Sequence, residues 1–580
     1  MLSLAGKKWI VARPAADRVA RLAGELGVSP VIAGLLINRN LQSADQCRLF
    51  LDADLGKLHD PLLMSGMKAA VERILPAIGR GEPITVFADY DVDGVTSAAL
   101  LIHFFRDLGA PIAYYLPERM REGYGVSEAA LSKIRAAGGS LVITADCGIT
   151  AVGEARAARA MGLDMIITDH HQVGGEGIPD AVAVLNPHQP GCPYPFKFLS
   201  GVGIVFKLAM AVRSALHRAG WEKDRLPNLR QYLDLFALGT IADVAPLTGE
   251  NHLLTGHGLE AMAVTRKPGL VALKAVAGLD GAPDARAVGF VLGPRLNAAG
   301  RLGKADTGLH LLTATDLDKA MEMAKTLNDI NRERQDIQKW IQEEAEYRVA
   351  REIDLQRDRV IVLASENFHR GVVGIVAARV MEKYFRPTIL IALADGVGHG
   401  SGRSIPKFNL HKALGECADC LTQFGGHAYA AGFSIEESKI DSFRKALNDV
   451  GRRFLAPEDL VPELAVDTVL GLEDVSLERC REIRSLQPFG AGNPTPVFLS
   501  EAVCVRGVRF VGKEETHVRF RAVHGGRSID GIGFNLAEVF RRAAVEEQPM
   551  DLVYEIQINT WNGREKLQLN LLDLRPAGAD

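Results

Sequence analysis

The sequence predicts an α/β protein: two α/β domains joined by a long helix, with a small β-barrel near the C-terminal end. Three observations carry that expectation. From about 80 to 245, short apolar runs alternate with helix-like segments such as 97–108, 128–137 and 151–161, the rhythm of βαβ units around a parallel sheet. From 309 to 370 there is neither glycine nor proline, and Leu317, Ala320, Ala324, Leu327, Ile330, Ile337, Trp340 and Ile341 recur at helical spacing. In the tail, His517-Val-Arg-Phe-Arg-Ala-Val and Asp551-Leu-Val-Tyr-Glu-Ile-Gln-Ile alternate apolar with polar residues, as half-buried antiparallel strands do.

The elements follow in order. Residues 1–70 read as a mostly helical segment, and 71–315 as the first α/β domain. A continuous helix over 316–352 would be on the order of 50 Å long at 1.5 Å per residue. Its polar middle, Asn331-Arg-Glu-Arg-Gln-Asp336, suits a bridge between domains better than a core helix. Residues 353–455 form the second α/β domain, with strands at Val360-Ile-Val-Leu-Ala and Thr388-Ile-Leu-Ile-Ala and a helix over 373–384 between them. A linker around 457–462 leads to the barrel, 463–577. A chain of 580 residues is too long for one core and fits roughly three or four domains.

Composition narrows the class. At 47% hydrophobic and 24% charged, with no low-complexity tract, this is an ordinary globular composition. No apolar run is long enough to cross a bilayer, and residues 1–11 lack the apolar core of a signal peptide, so no membrane is expected and the cytoplasm is the expected compartment. Seven scattered cysteines do not make a disulfide framework. Cys417-Ala-Asp-Cys420 has no second pair nearby and reads as two cysteines on a helix. A net charge of −4 excludes a uniformly basic nucleic-acid coat, so any nucleic-acid binding must be local.

The chemistry lies in one ending, repeated. Ile84-Thr-Val-Phe-Ala stops on Asp89-Tyr-Asp91-Val-Asp93-Gly94, Leu141-Val-Ile-Thr-Ala on Asp146-Cys-Gly148, and Met165-Ile-Ile-Thr on Asp169-His170-His171. Chemistry in an open parallel sheet collects at the carboxyl ends of its strands. Carboxylates packed there raise one another's pKa unless cations compensate them, so the pattern predicts a two-metal hydrolytic site. A D-x-D-x-D-G string alone also fits a calcium loop, but the twelfth position from Asp89 is Leu100 rather than glutamate. Oxygen and nitrogen donors together at Asp169-His170-His171 suit Mn²⁺. Asp243, after Leu238-Gly-Thr-Ile-Ala, reads by itself as a helix cap. In the tail, Arg506, Arg509, Lys513, His517, Arg519, Arg521 and Arg527 make a locally basic surface, with Phe510, Phe520 and Trp561 available for base stacking.

Taken together these residues resemble the DHH phosphoesterase superfamily. Pro117-Glu-Arg119-Met-Arg-Glu-Gly-Tyr124-Gly, Leu199-Ser-Gly-Val-Gly203, Pro294-Arg295-Leu-Asn297-Ala-Ala-Gly-Arg301, Gly425-Gly426-His427-Ala-Tyr-Ala-Ala-Gly432 and Leu486-Gln-Pro-Phe-Gly-Ala-Gly-Asn-Pro494 are similar to the RecJ family of single-strand-specific 5′→3′ exonucleases. The resemblance runs from about 35 to 576. It implies a DHH catalytic domain over 71–315, a DHHA1 domain over 353–455 and an OB-type barrel over 463–577.

The family's roles carry over residue by residue. Asp91 and Asp93 match motif I ligands with Asp89 beside them, Asp146 the bridging carboxylate, His170 a ligand, His171 a ligand or phosphate-facing residue, and Asp243 the last ligand; Asp169 joins the expected metal set. Phe87 stands where pyrophosphatase-like members of the superfamily carry a histidine, and Asp89 is placed to supply the missing donor. His427, with Gly426, is expected to donate to a phosphoryl oxygen, and Ser401, Arg403 and Ser404 to line an anion pocket. Arg119, Arg295 and Arg301 are candidates for a 5′-terminal phosphate, each weighed against a surface salt bridge, and Asn297 is a further substrate contact. The resemblance implies two Mn²⁺ or Mg²⁺ ions, single-stranded DNA as substrate, a long helix holding the α/β domains apart, a monomer, and a single-strand binding protein and a helicase as partners. Two other readings use the same residues: a phosphodiesterase of short oligonucleotides or cyclic dinucleotides, and a non-catalytic single-strand-binding scaffold.

Overall fold

A computed structural model describes residues 2–117, 125–302, 306–561 and 564–579. The chain forms two compact units. One contains 16–331 with 482–495, the other 1–15, 332–481 and 496–580.

The first unit is built on five parallel strands. Ile84–Ala88 lies between Ile112–Tyr115 and Leu141–Ala145, and Asp164–Thr168 and Ala183–Leu185 follow on the latter's side. In chain order this is 2-1-3-4-5, so the connection direction reverses between Ile84–Ala88 and Leu141–Ala145. At such a switch point the flanking helices diverge and leave a crevice at the strand ends. The two central strands, Ile84–Ala88 and Leu141–Ala145, are buried throughout, as expected of a sheet covered on both faces. Helices Val92–Asp107 and Gly201–Arg218 pack over one face, where Ala98, Leu101, Phe105, Val202, Val205 and Phe206 join the main core. Phe87 points to the opposite face, fully buried and stacked on Tyr115 with ring centroids 5.5 Å apart.

The second unit holds two larger sheets beside a two-stranded one. In one, Ile361–Ser365 and Thr388–Ala394 run parallel with helix Val373–Tyr384 between them in the chain; Val397–Arg403, Ala430–Glu436 and Gln423–Gly426 continue the sheet antiparallel. In the other, Phe498–Val511, His517–His524, Arg527–Gly533, Arg564–Pro576 and Met550–Trp561 pair in that order. Met550–Trp561 pairs back onto Phe498–Val511, so five strands close a barrel of OB type.

The long helix spans Leu317–Glu352, 36 residues or about 54 Å. Ala320, Ala324 and Leu327 on its first turns join the core of the first unit. The segment expected to be helical over 1–70 contains helices Ala16–Leu26, Pro30–Asn38 and Ala44–Leu51, but it begins with a strand, Lys8–Val11. That strand pairs in parallel with Glu463–Val466, and Trp9 donates to Asp573 at 2.9 Å with Arg575 over its ring. Its partner lies more than 450 positions away, which local periodicity cannot register. Among the described residues, no single helix is long and apolar enough to cross a bilayer.

Candidate metal centre

Backbone ladders place the carboxylates. One residue beyond each strand, Asp89 N donates to Ala145 O (3.2 Å), Asp146 N to Thr168 O (3.0 Å) and Asp169 N to Leu185 O (3.1 Å). Thr168 stitches adjacent strand ends, its hydroxyl donating to Thr144 O at 2.6 Å and its amide to Thr144 Oγ1 at 3.1 Å. Asp146 adopts φ 64°, a left-handed conformation that aspartate tolerates better than most residues. Gly94 is required: a Cβ there would lie 2.4 Å from Asp89 O.

Helix termini complete the arrangement. Asp91 caps helix Val92–Asp107, accepting from Gly94 N at 3.0 Å. Asp93, in the first turn of that helix, accepts from the Gly201 and Val202 amides at 2.6 and 2.8 Å, at the start of helix Gly201–Arg218. Those amides are unbonded donors at the positive end of a helix and suit a carboxylate. Gly201 also makes room, since a Cβ there would sit 2.7 Å from Asp146 Cβ and Oδ1. Ser200, the N-cap, accepts from Gly203 N. The Leu199-Ser-Gly-Val-Gly203 motif thus supports Asp93 and Asp146, a role its apolar neighbours hid in the sequence. Asp243 ends helix Leu233–Ala242 as its C-cap, the position its sequence context suggests.

Three sets of donor atoms each converge within 4.8 Å: Asp89, Asp91 and Asp146; Asp146, His170 and His171; and Asp93, His170 and Asp243. His170 Nε2 lies 3.1 Å from Asp146 Oδ1, 3.8 Å from Asp243 Oδ2 and 3.9 Å from Asp93 Oδ2. The short separation from Asp146 is not a hydrogen bond: both atoms are buried and neither has a hydrogen-bond partner among the described residues. Burial, then the charge of His171, lowers His170 to about 4 and leaves its ring neutral. With neither atom engaged in a hydrogen bond, both the imidazole nitrogen and the carboxylate oxygen are available to a cation. Burial, with Asp91 second, pushes Asp93 up to about 7. Burial, then Asp93 and Asp91, pushes Asp243 up to about 9, and burial with the four neighbouring carboxylates raises Asp146 well above the carboxylate range. The donor set fits divalent cations, which would remove this penalty.

Asp169 departs from its expected place in the metal set. Its Oδ2 accepts from Ile149 N at 2.8 Å, and its Oδ1 accepts from His171 N at 3.0 Å and faces His171 Nδ1 at 2.7 Å. Burial would raise its pKa, but the hydrogen bonds and charge of His171 hold it below the usual carboxylate range. Burial likewise lowers His171, yet Asp169, helped by Asp243 and Asp89, overcomes this and raises it to about 9. Asp169 therefore orients and charges His171.

The expected substrate residues are placed unevenly. Asn297 accepts from Val92 N at 3.2 Å and so supports the Asp91–Asp93 turn. Arg295 donates to Val291 O (2.6 Å) and Asn328 Oδ1 (3.2 Å) within its own unit, and Arg301 is half-buried. Arg119 lies outside the described residues. In the second unit, Arg403 donates to Gly402 O (2.8 Å) and Ser401 Oγ (3.3 Å), and burial lowers its pKa. Ser404 is buried and donates to Phe408 O at 2.7 Å, so its hydroxyl serves the turn rather than an anion pocket. Gly426 needs its missing side chain, as a Cβ would lie 2.5 Å from Ala430 O; His427 beside it is exposed.

On the barrel, register sets Arg506 opposite Arg521 and Arg509 opposite Arg519, and all four side chains are exposed. Like charges directly across a ladder are unfavourable without a counter-anion. Phe520, expected to stack on bases, is instead 3% exposed inside the barrel, and Gly531 leaves space for its ring. Phe510 is half-buried beneath Arg541; the Trp561 side chain lies outside the described set.

Comparison with known proteins agrees with this architecture. The DHH family N-terminal domain matches residues 83–240, the DHHA1 domain 357–452 and the RecJ OB domain 466–573. The single-stranded-DNA-specific exonuclease RecJ of Bacillus subtilis is 41% identical over 98% of this chain and 70% of its own length. This chain belongs to the RecJ family. The Escherichia coli RecJ is 35% identical over 97% of this chain and 98% of that protein. Among solved structures, Thermus thermophilus RecJ in complex with Mn²⁺ superposes with a TM-score of 0.84 at 29% identity, covering 99% of this chain and 80% of that one. The same protein in complex with Mg²⁺ gives 0.78.

Proposed function

We propose that this RecJ-family chain is a metal-dependent exonuclease that removes nucleotides from the 5′ end of single-stranded DNA. The observation that carries the reading is the pairing of Asp146 Oδ1 and His170 Nε2, buried 3.1 Å apart with no hydrogen-bond partner among the described residues, inside a ring of carboxylates. Asp89, Asp91 and Asp146 would hold one Mn²⁺ or Mg²⁺, and Asp93, His170 and Asp243 the other. Bound cations supply Lewis acidity at the scissile phosphate and a hydrolytic nucleophile at neutral pH. His171, kept protonated by Asp169, offers positive charge to a phosphoryl oxygen as negative charge develops there. His427 and Arg403 are the DHHA1 domain's candidates for phosphate contact. The exposed arginine pairs of the barrel favour a long strand over a dinucleotide, because they offer phosphates cationic contacts in addition to the hydrolytic centre. A monomer in the cytoplasm, working with a single-strand binding protein and a helicase that supply the substrate strand, completes the proposal.

The test is a long single strand labelled separately at each end, with its duplex beside it, digested in Mn²⁺. Early mononucleotide release from the 5′ label alone, with the duplex spared, supports the reading. Release first from the 3′ label rejects the polarity. Cleavage of dinucleotides only would favour a small-substrate phosphodiesterase.

A further inference from the structure

The segment Leu486-Gln-Pro-Phe-Gly-Ala-Gly-Asn-Pro494 has no role in the hydrolytic scheme above. In sequence it lies within the span of the barrel domain, just before strand Phe498–Val511, yet 482–495 packs with the unit that holds the carboxylates. Its contacts converge on the residues just after Asp243.

The turn carrying Asp243 is strained. Helix Leu233–Ala242 ends with Asp243 N donating to Gly239 O (2.9 Å), Val244 N to Ile241 O (3.1 Å) and Ala245 N to Thr240 O (3.2 Å). Val244 adopts φ 61°, where helices ordinarily place glycine and where a β-branched residue is an outlier. Its side chain is 69% exposed, so packing of that side chain does not compensate. Such a conformation persists when its surroundings over-determine it.

The surroundings come from two sides. Pro246 O accepts from Asn251 Nδ2 at 3.1 Å and from Thr248 N at 2.9 Å. From the 482–495 strap, Ala491 O accepts from Leu247 N at 2.6 Å. The strap's glycines lie flat against the same residues: a Cβ at Gly490 would be 2.7 Å from Leu247 Cδ1, and one at Gly492 would be 3.1 Å from both Pro246 Cβ and Thr248 Cγ2. Asn493 makes the strap rigid. It is 1% exposed, donates through Nδ2 to Leu486 O (2.7 Å) and Pro488 O (2.8 Å), and accepts at Oδ1 from Arg39 Nε (2.6 Å). Its backbone exchanges two hydrogen bonds with Gly490, closing the loop that carries Ala491.

We propose that the 482–495 strap is a positioning element for the metal centre: through Leu247 and Pro246 it fixes the Val244 turn, and with it the Asp243 carboxylate, where Asp93 and His170 can share a cation with it. The proposal rests on Asp243 being a ligand. Asn493 touches neither substrate nor cation and acts only through the turn.

The experiment measures Mn²⁺ binding to the full chain without DNA, by electron paramagnetic resonance of the free ion, beside thermal melting and single-strand digestion across Mn²⁺ concentrations. Asn493→Ala and Gly492→Ala should each weaken one Mn²⁺ site by about 10–100-fold, the usual effect of losing an outer-shell partner, and the digestion rate should recover at high Mn²⁺. Mn²⁺ affinity within twofold of wild type overturns the proposal, even where the melting temperature falls. If Asn493→Ala does not fold, Gly492→Ala, whose added methyl presses on Pro246 and Thr248, decides by itself. Asp243→Asn separates the two levels. If it leaves both Mn²⁺ sites intact, the ligand assignment fails; if it weakens one while the strap variants do not, the strap alone fails.

Discussion

Adding one methyl group at Gly201 should disable the centre without removing any polar group. The new Cβ would stand 2.7 Å from Asp146 Cβ and Oδ1, against an ordinary contact of 3.4 Å or more, so about 0.7 Å of movement is forced. Asp146 has little slack, being 1% exposed, at φ 64°, and tied by its amide to Thr168 O. If the helix start moves instead, the Gly201 and Val202 amides leave Asp93. Either way the two carboxylates shift relative to each other. A displacement approaching 1 Å at a reacting centre costs on the order of 100-fold in rate, and overpacking costs about 1–3 kcal/mol of stability. We expect Gly201→Ala to slow single-turnover nucleotide release from a 5′-labelled strand by about 10–100-fold while still folding. Gly153→Ala is the control, because nothing lies within 4 Å of a Cβ there. A Gly201→Ala enzyme within twofold of wild type, with unaltered Mn²⁺ affinity, would refute the close packing on which the site's description depends.

Other expectations follow from the same geometry. Asp93 and Asp243 sit near 7 and 9 in the folded protein without metal, above about 4 when unfolded, so the native state holds protons that the unfolded state releases. Metal-free stability should therefore decline as pH rises from about 5 to 8, by up to about 1.4 kcal/mol per pH unit for each extra proton, and the stabilisation by Mn²⁺ should grow over the same range; melting curves in chelator that stay flat with pH would contradict this. Asp169→Asn should bring His171 back toward the ordinary histidine range and move the alkaline limb of the rate–pH profile downward, with a rate loss of about 10–100-fold; an unmoved limb means the charge on His171 is not used. On the barrel, Phe520→Ala should cost about 3–5 kcal/mol in unfolding. Arg519→Ala with Arg521→Ala should instead leave melting unchanged and lower the salt slope of single-strand binding by about 0.7 per lost phosphate contact, whereas an unchanged slope would remove that face from the strand's path.

Local pattern carried much of this reading. A strand that stops on an aspartate is written in consecutive residues, so the clusters at 89–93, 146 and 169–171 were legible, and so was the 36-residue helix, whose bounds of Leu317–Glu352 fall within a residue of the periodicity. The period-2 pattern around Phe520 was legible too, but not which face would be inside. Alternation gives two faces, and only closure of the barrel decided that Phe520 is enclosed while Arg519 and Arg521 remain outside.

By itself, the sequence determined the residue types of the centre and their place at strand ends, because those depend on neighbours a few positions apart. Tertiary structure alone decided their division of labour. Asp169, at a strand end like the other carboxylates, has its oxygens bonded to Ile149 and His171, and Asn297, in a motif that suggests a substrate contact, accepts from Val92 N in the Asp91 turn. The amides of 201–202 reach Asp93 across more than 100 residues, and Ala491 reaches Leu247 across more than 200. A carboxylate's role depends on which donors occupy its lone pairs, and partners so far along the chain are assembled only by the packed fold.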